Sequence, residues 1–114
     1  MGDSNVSLSV IATDAVAFDQ VINSGNLVIA KFQTKACVVC RRLEPALIQL
    51  KQRTTEMLDV VAIDAEEVPV LAERHNIRSV PTLILFKGGT ELTRCSGFQT
   101  TAMLREWMAP HIRQ

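Results

Sequence analysis

Two rhythms of apolar residues alternate along the chain. Leu27-Val28-Ile29-Ala30-Lys31-Phe32, Leu58 to Ile63, and Val80-Pro81-Thr82-Leu83-Ile84-Leu85-Phe86-Lys87 are nearly unbroken apolar runs rich in β-branched side chains. Such runs read as strands of a sheet covered on both faces. Between them the apolar spacing turns helical: Ala15, Phe18, Val21 and Ile22, then Leu43, Leu47 and Leu50, then Val68 to His75, and finally Met103, Leu104, Trp107 and Met108. Thr13-Asp14 offers an N-cap for the first helix, and Gly25 stops it. Pro69 suits the first turn of the third helix, and Pro110 ends the last. Pro45 falls inside the second helix, where it removes a backbone bond and is expected to kink it. Pro81 opens its strand, where a missing donor is tolerated.

The remaining pieces are short. Residues 1–5 read as a flexible N-terminal tail, and Val6-Ser7-Leu8-Ser9-Val10 alternates as a half-exposed edge strand does. Gly88-Gly89 reads as a tight hairpin turn into Thr90–Ser96, and Gly97 breaks that strand. The order is therefore βαβαβα, then a ββ hairpin and a last helix. That is an α/β domain: a central mixed sheet, parallel in part, with helices on both faces.

Length and charge narrow the function. At 114 residues the chain, 1–114, makes a single domain with one core and needs no staples. Twelve Lys and Arg balance twelve Asp and Glu, so nothing draws it broadly to nucleic acid or an anionic membrane. No apolar run approaches the roughly 20 residues that span a bilayer. The N-terminus lacks the basic region and apolar core of a secretory signal. Three cysteines argue against a secreted disulfide framework and for a reducing compartment, with the cytoplasm as the expected address.

Two of those cysteines carry the chemistry. Cys37-Val38-Val39-Cys40 stands where the central strand hands over to the second helix. Free N–H groups and the positive dipole end of a helix start stabilise a thiolate. A cysteine so placed can fall from a pKa of about 8.5 to roughly 3.5–7.5. The two-residue spacer lets the second sulfur close a disulfide with the first. The competing readings are half a zinc site or two inert thiols. A structural zinc site needs four ligands, and His75 and His111 are not spaced as a second pair.

Taken with Pro45, the run Ile77-Arg78-Ser79-Val80-Pro81-Thr82, the Lys87-Gly88-Gly89 hairpin and Gly97, this order and spacing resembles the thioredoxin family from about residue 6 to 112. The resemblance implies a protein-disulfide oxidoreductase of thioredoxin fold that reduces disulfides in protein substrates by thiol–disulfide exchange. In it Cys37 is the exposed attacking thiolate and Cys40 the buried resolving thiol. It also implies a cis bond before Pro81, with Val80 pairing to extended substrate beside Ala36 and Gly97. No metal or organic cofactor is expected. A separate reductase supplies the electrons to a protein that works as a monomer.

Departures from the family pattern gather at the site. Ala36 replaces the usual tryptophan, Val38-Val39 the Gly-Pro spacer, and Lys31 the buried aspartate of the central strand, with Ala62 where a partner lysine often stands. They keep open a second reading, a binding or scaffold module whose dithiol is slow or vestigial. Lys31 is a candidate for tuning the thiols electrostatically. It is expected to bend toward solvent, or to pair with Glu44 or Asp64 if buried. Cys95 reads as a semi-buried small hydrophobe, His75 as a surface residue and Trp107 as core.

Overall fold

A computed structural model of the chain describes residues 9–112. The expected tail and most of the strand expected at residues 6–10 lie outside the described residues. Five strands form one sheet in the order β1-β3-β2-β4-β5, where β1 is Ser9–Ile11, β2 Leu27–Gln33, β3 Leu58–Asp64, β4 Thr82–Lys87 and β5 Thr90–Ser96. β1, β3 and β2 run parallel, while β2–β4 and β4–β5 are antiparallel. The mixed sheet expected from the pattern is the one that forms.

Its helices are α1 (Ala15–Ile22), α2 (Val38–Arg53), α3 (Pro69–Arg74) and α4 (Thr101–Met108). Asp14 caps α1 by accepting the Ala17 N–H at 2.8 Å, and Thr100 caps α4 by accepting that of Met103 at 3.1 Å. α2 continues through Pro45 as one helix. The last helix does not stop at Pro110: α4 ends at Met108 and tightens into a 3₁₀ turn over Ala109–His111. Asn76 ends α3 from the left-handed region at φ 54°, a stop signal that the sequence reading passed over.

Alternation along the strands splits the core in two. Leu27 and Ile29 of β2 pack with Leu83, Leu85, Leu43, Leu47, Leu104 and Met108 on the face that α2 and α4 cover. Val28, Ala30 and Phe32 pack with Ile84, Phe86, Phe18 and Leu71 on the face of α1 and α3. Because β2 is covered on both sides, its apolar run has no polar alternation. The turn after β4 places Gly88 and Gly89 at φ 58° and 81°, as a tight hairpin requires. The Gly89 N–H bonds the Ile22 carbonyl at 2.8 Å, and a β-carbon there would strike the Asn23 side chain.

Candidate active site

The sheet delivers the candidate residues to one end. β2 leaves that end at Gln33 and passes through Thr34, Lys35 and Ala36 into α2. Antiparallel to it, β4 begins there: Phe32 pairs with Thr82, and Thr82 in turn with Ser96. The Val80–Pro81 peptide bond is cis, and the Gly97 N–H donates to the Pro81 carbonyl at 3.0 Å. Ala36, Cys37, Cys40, Val80, Pro81 and Gly97, scattered over some sixty positions of sequence, thus belong to segments that lie toward the same end of the sheet. Val38, Val39 and Phe98 add exposed apolar surface in the same segments, and Phe98 was not singled out from the sequence.

Cys37 is the N-cap of α2, and its Sγ accepts the Cys40 N–H at 3.1 Å. It is half-buried, whereas Cys40 is buried. Their α-carbons lie 5.3 Å apart and the two sulfurs are joined in a disulfide. The loop before them is held by its own backbone and side chains. Arg41 reaches back to the Lys35 carbonyl at 3.0 Å, and the Cys37 N–H bonds the Thr34 carbonyl at 3.3 Å. Exposed Lys35 meets Glu67 at 2.7 Å, a contact that raises the lysine's pKa from its ordinary value. Among the described residues no group of three or more His, Cys, Asp or Glu is placed to hold a metal ion.

Lys31 does not bend toward solvent. Its side chain is only 3% exposed and its Nζ donates to Glu44 Oε1 at 2.6 Å. It points to the α2 face because residues 27, 29 and 31 of β2 share that face, and Ala62, directly beside it on β3, leaves it room. A buried ammonium is tolerated only with a partner, which Glu44 supplies from α2.

His75 is likewise not a surface residue. Its ring packs 5.4–6.0 Å from the centroids of Phe18, Phe32 and Phe86. Its Nε2 is buried without a hydrogen-bond partner, and burial, reinforced by the Arg74 charge, lowers its pKa. Trp107 packs against the core as expected. Cys95, the free thiol of the described residues, is half-buried, and desolvation pushes its pKa up to about 11, so it is inert at neutral pH.

The thioredoxin family model matches residues 9–110. The chain belongs to the thioredoxin family. Thioredoxin 1 of Synechococcus elongatus is 28% identical over 107 residues, covering 94% of this chain and all of that one. A bifunctional thioredoxin reductase/thioredoxin of Mycobacterium leprae is 30% identical over 100 residues, which are 88% of this chain and 22% of that protein. The solved structure of a thioredoxin variant from Halobacterium salinarum superposes with a TM-score of 0.84 at 27% identity, covering 93% of this chain and 92% of that one. Membership and the Cys37–Cys40 pair make this chain a thiol–disulfide oxidoreductase, reducing substrate disulfides by dithiol exchange. The scaffold reading is not favoured. No helix of the described residues is long and apolar enough to cross a membrane.

Proposed function

We propose that Cys37 attacks the disulfide of a protein substrate and that Cys40 resolves the mixed disulfide so formed. The observation that carries this division is the asymmetry at the start of α2. One sulfur caps the helix and is reachable, and the other is buried behind it. Thiolate is favoured where N–H groups converge, and exchange needs access for an incoming sulfur. Substrate lies in extended form against Ala36, Val80, Pro81 and Gly97, a reading supported by the pairing of Phe32 with Thr82 and by the Gly97–Pro81 hydrogen bond. Lys31, buried beneath α2, tunes the thiols by its charge.

The electron donor is a separate reductase. Support comes from the Mycobacterium leprae relative, whose single chain joins a thioredoxin reductase to a thioredoxin. The protein works as a monomeric single domain, 1–114. Its low, odd cysteine count and its bacterial thioredoxin relatives favour the cytoplasm. Insulin turbidity with dithiothreitol tests the activity, and Cys40→Ser tests the roles. The variant is expected to hold substrate covalently on Cys37. A parent that leaves insulin intact, or a Cys40→Ser protein that turns over like the parent, would sink this reading.

A further inference from the structure

Thr82, the first residue of β4, is 3% exposed, and with Lys31 it is one of two buried polar side chains among the described residues. Its hydroxyl has two partners. Oγ1 lies 2.7 Å from the Ser79 carbonyl, which can only accept, and 3.1 Å from Ser96 Oγ across the β4–β5 pair. A hydroxyl has one proton to give, so Thr82 donates to Ser79 and Ser96 donates to Thr82. Ser79 is joined to Val80 by a trans peptide bond, whose carbonyl and N–H point in opposite directions within one plane. A carbonyl drawn inward to a buried hydroxyl therefore turns the Val80 N–H outward. That N–H and the Val80 carbonyl make no hydrogen bond among the described residues. On the other side of Val80, the Pro81 carbonyl is held by the Gly97 N–H at 3.0 Å. Val80 is thus unpaired backbone between two anchored carbonyls, at the end of the sheet from which β2 runs into Cys37.

We propose that the Thr82 hydroxyl is a positioning group for protein substrates, aiming the Val80 N–H at a main-chain carbonyl of an extended segment of substrate. Ser96 in turn fixes the direction of that hydroxyl. The inference rests on the reading that substrate lies along Val80, and it adds what sets the direction of the donor. What is recognised is peptide backbone, not a particular side chain. The device therefore favours disulfides carried in extended chain over small-molecule disulfides. A donor aimed before substrate arrives needs no ordering on binding. Without the hydroxyl the Ser79–Val80 plane is free to turn, and the donor must be ordered at each encounter.

Thr82→Val keeps the branched shape and removes the hydroxyl. Initial rates with insulin, and with Ellman's reagent, which has no backbone, separate recognition from thiol chemistry. The KM for insulin is expected to rise about tenfold, the effect of one net hydrogen bond, while kcat and the rate with Ellman's reagent change far less. Thr82→Ser should restore most of the insulin KM. Ser96→Ala, at an exposed position, should raise that KM by a smaller factor, and it carries the test if Thr82→Val does not fold. Equal losses on both disulfides, or no loss in either variant, overturn the proposal. The reading beneath it is checked separately in Cys40→Ser, with a cysteine-containing peptide trapped on Cys37. Hydrogen exchange at the Val80 amide should slow on trapping. An amide that exchanges as fast as in the free protein shows that substrate does not pair there, and the proposal falls with the groove. A protected amide together with an unchanged insulin KM in Thr82→Val puts the failure on Thr82 alone.

Discussion

The backbone N–H of Cys40 points at the Sγ of Cys37 from 3.1 Å, so the first sulfur of the pair is itself the cap of the helix that carries the second. In the reduced protein that geometry favours negative charge on Cys37. Limiting iodoacetamide at neutral pH, followed by mass mapping, should therefore find label on Cys37 first. Cys40 is shielded by burial, and Cys95 stays protonated. First label on Cys40 or Cys95 would reverse the assigned roles.

Lys31 and Glu44 should show the asymmetry of a buried pair. Glu44→Gln leaves an ammonium in the core and is expected to cost about 3 kcal/mol, the low end for such pairs because the carboxylate end is wet. Lys31→Met/Glu44→Gln should recover most of that loss, since both charges are gone and the methionine fills the space. Urea midpoints of the three proteins decide the matter. A single variant as stable as the parent means the pair does not hold the core.

Lys31 should also weigh on the thiols. Removing its charge in Lys31→Met withdraws support for a thiolate, so thiolate absorbance should titrate at higher pH for at least one cysteine. Lys31→Asp should move it further in the same direction. The same charge favours the reduced state of the dithiol. The potential of the parent is expected above the roughly −270 mV of ordinary thioredoxin, and to fall in Lys31→Met. The bulk of Val38 and Val39 beside the disulfide, in a turn where both lose side-chain freedom, acts in the same direction. Identical titrations in all three proteins would remove Lys31 from the redox chemistry.

His75 makes folding sensitive to mild acid. Burial among Phe18, Phe32 and Phe86 lowers its pKa below the ordinary 6.5, so the unfolded chain takes up a proton first as pH falls. Its contribution to stability is full above about 6.5 and is lost as pH drops through the folded value. His75→Phe keeps an aromatic ring there and removes the unpaired Nε2. Thermal melts between pH 7 and pH 5 should show a shallower loss for the variant than for the parent. Parallel losses would place the acid sensitivity elsewhere.

What the sequence determined on its own was whatever depends on neighbours along the chain. A continuous β-branched run into Cys-x-x-Cys and a leucine-spaced helix is a local signal. It marked β2, α2 and the redox pair, and the paired glycines marked the hairpin. The asymmetry of the cysteines could be expected as well, because being first or second at a helix start is a matter of order. Tertiary structure decided the fates of single polar residues inside apolar patterns. Lys31 in an apolar strand is compatible with a side chain bent to water or one sealed in the core. The choice fell to Glu44, which arrives from a different element across the face of the sheet. His75 looked like surface at the end of a short helix, yet rings from α1, β2 and β4 close around it. Periodicity tells which face of an element a residue occupies. Whether a charge or a ring on that face is solvated depends on what packs opposite, and that is known only when the sheet and its helices have come together.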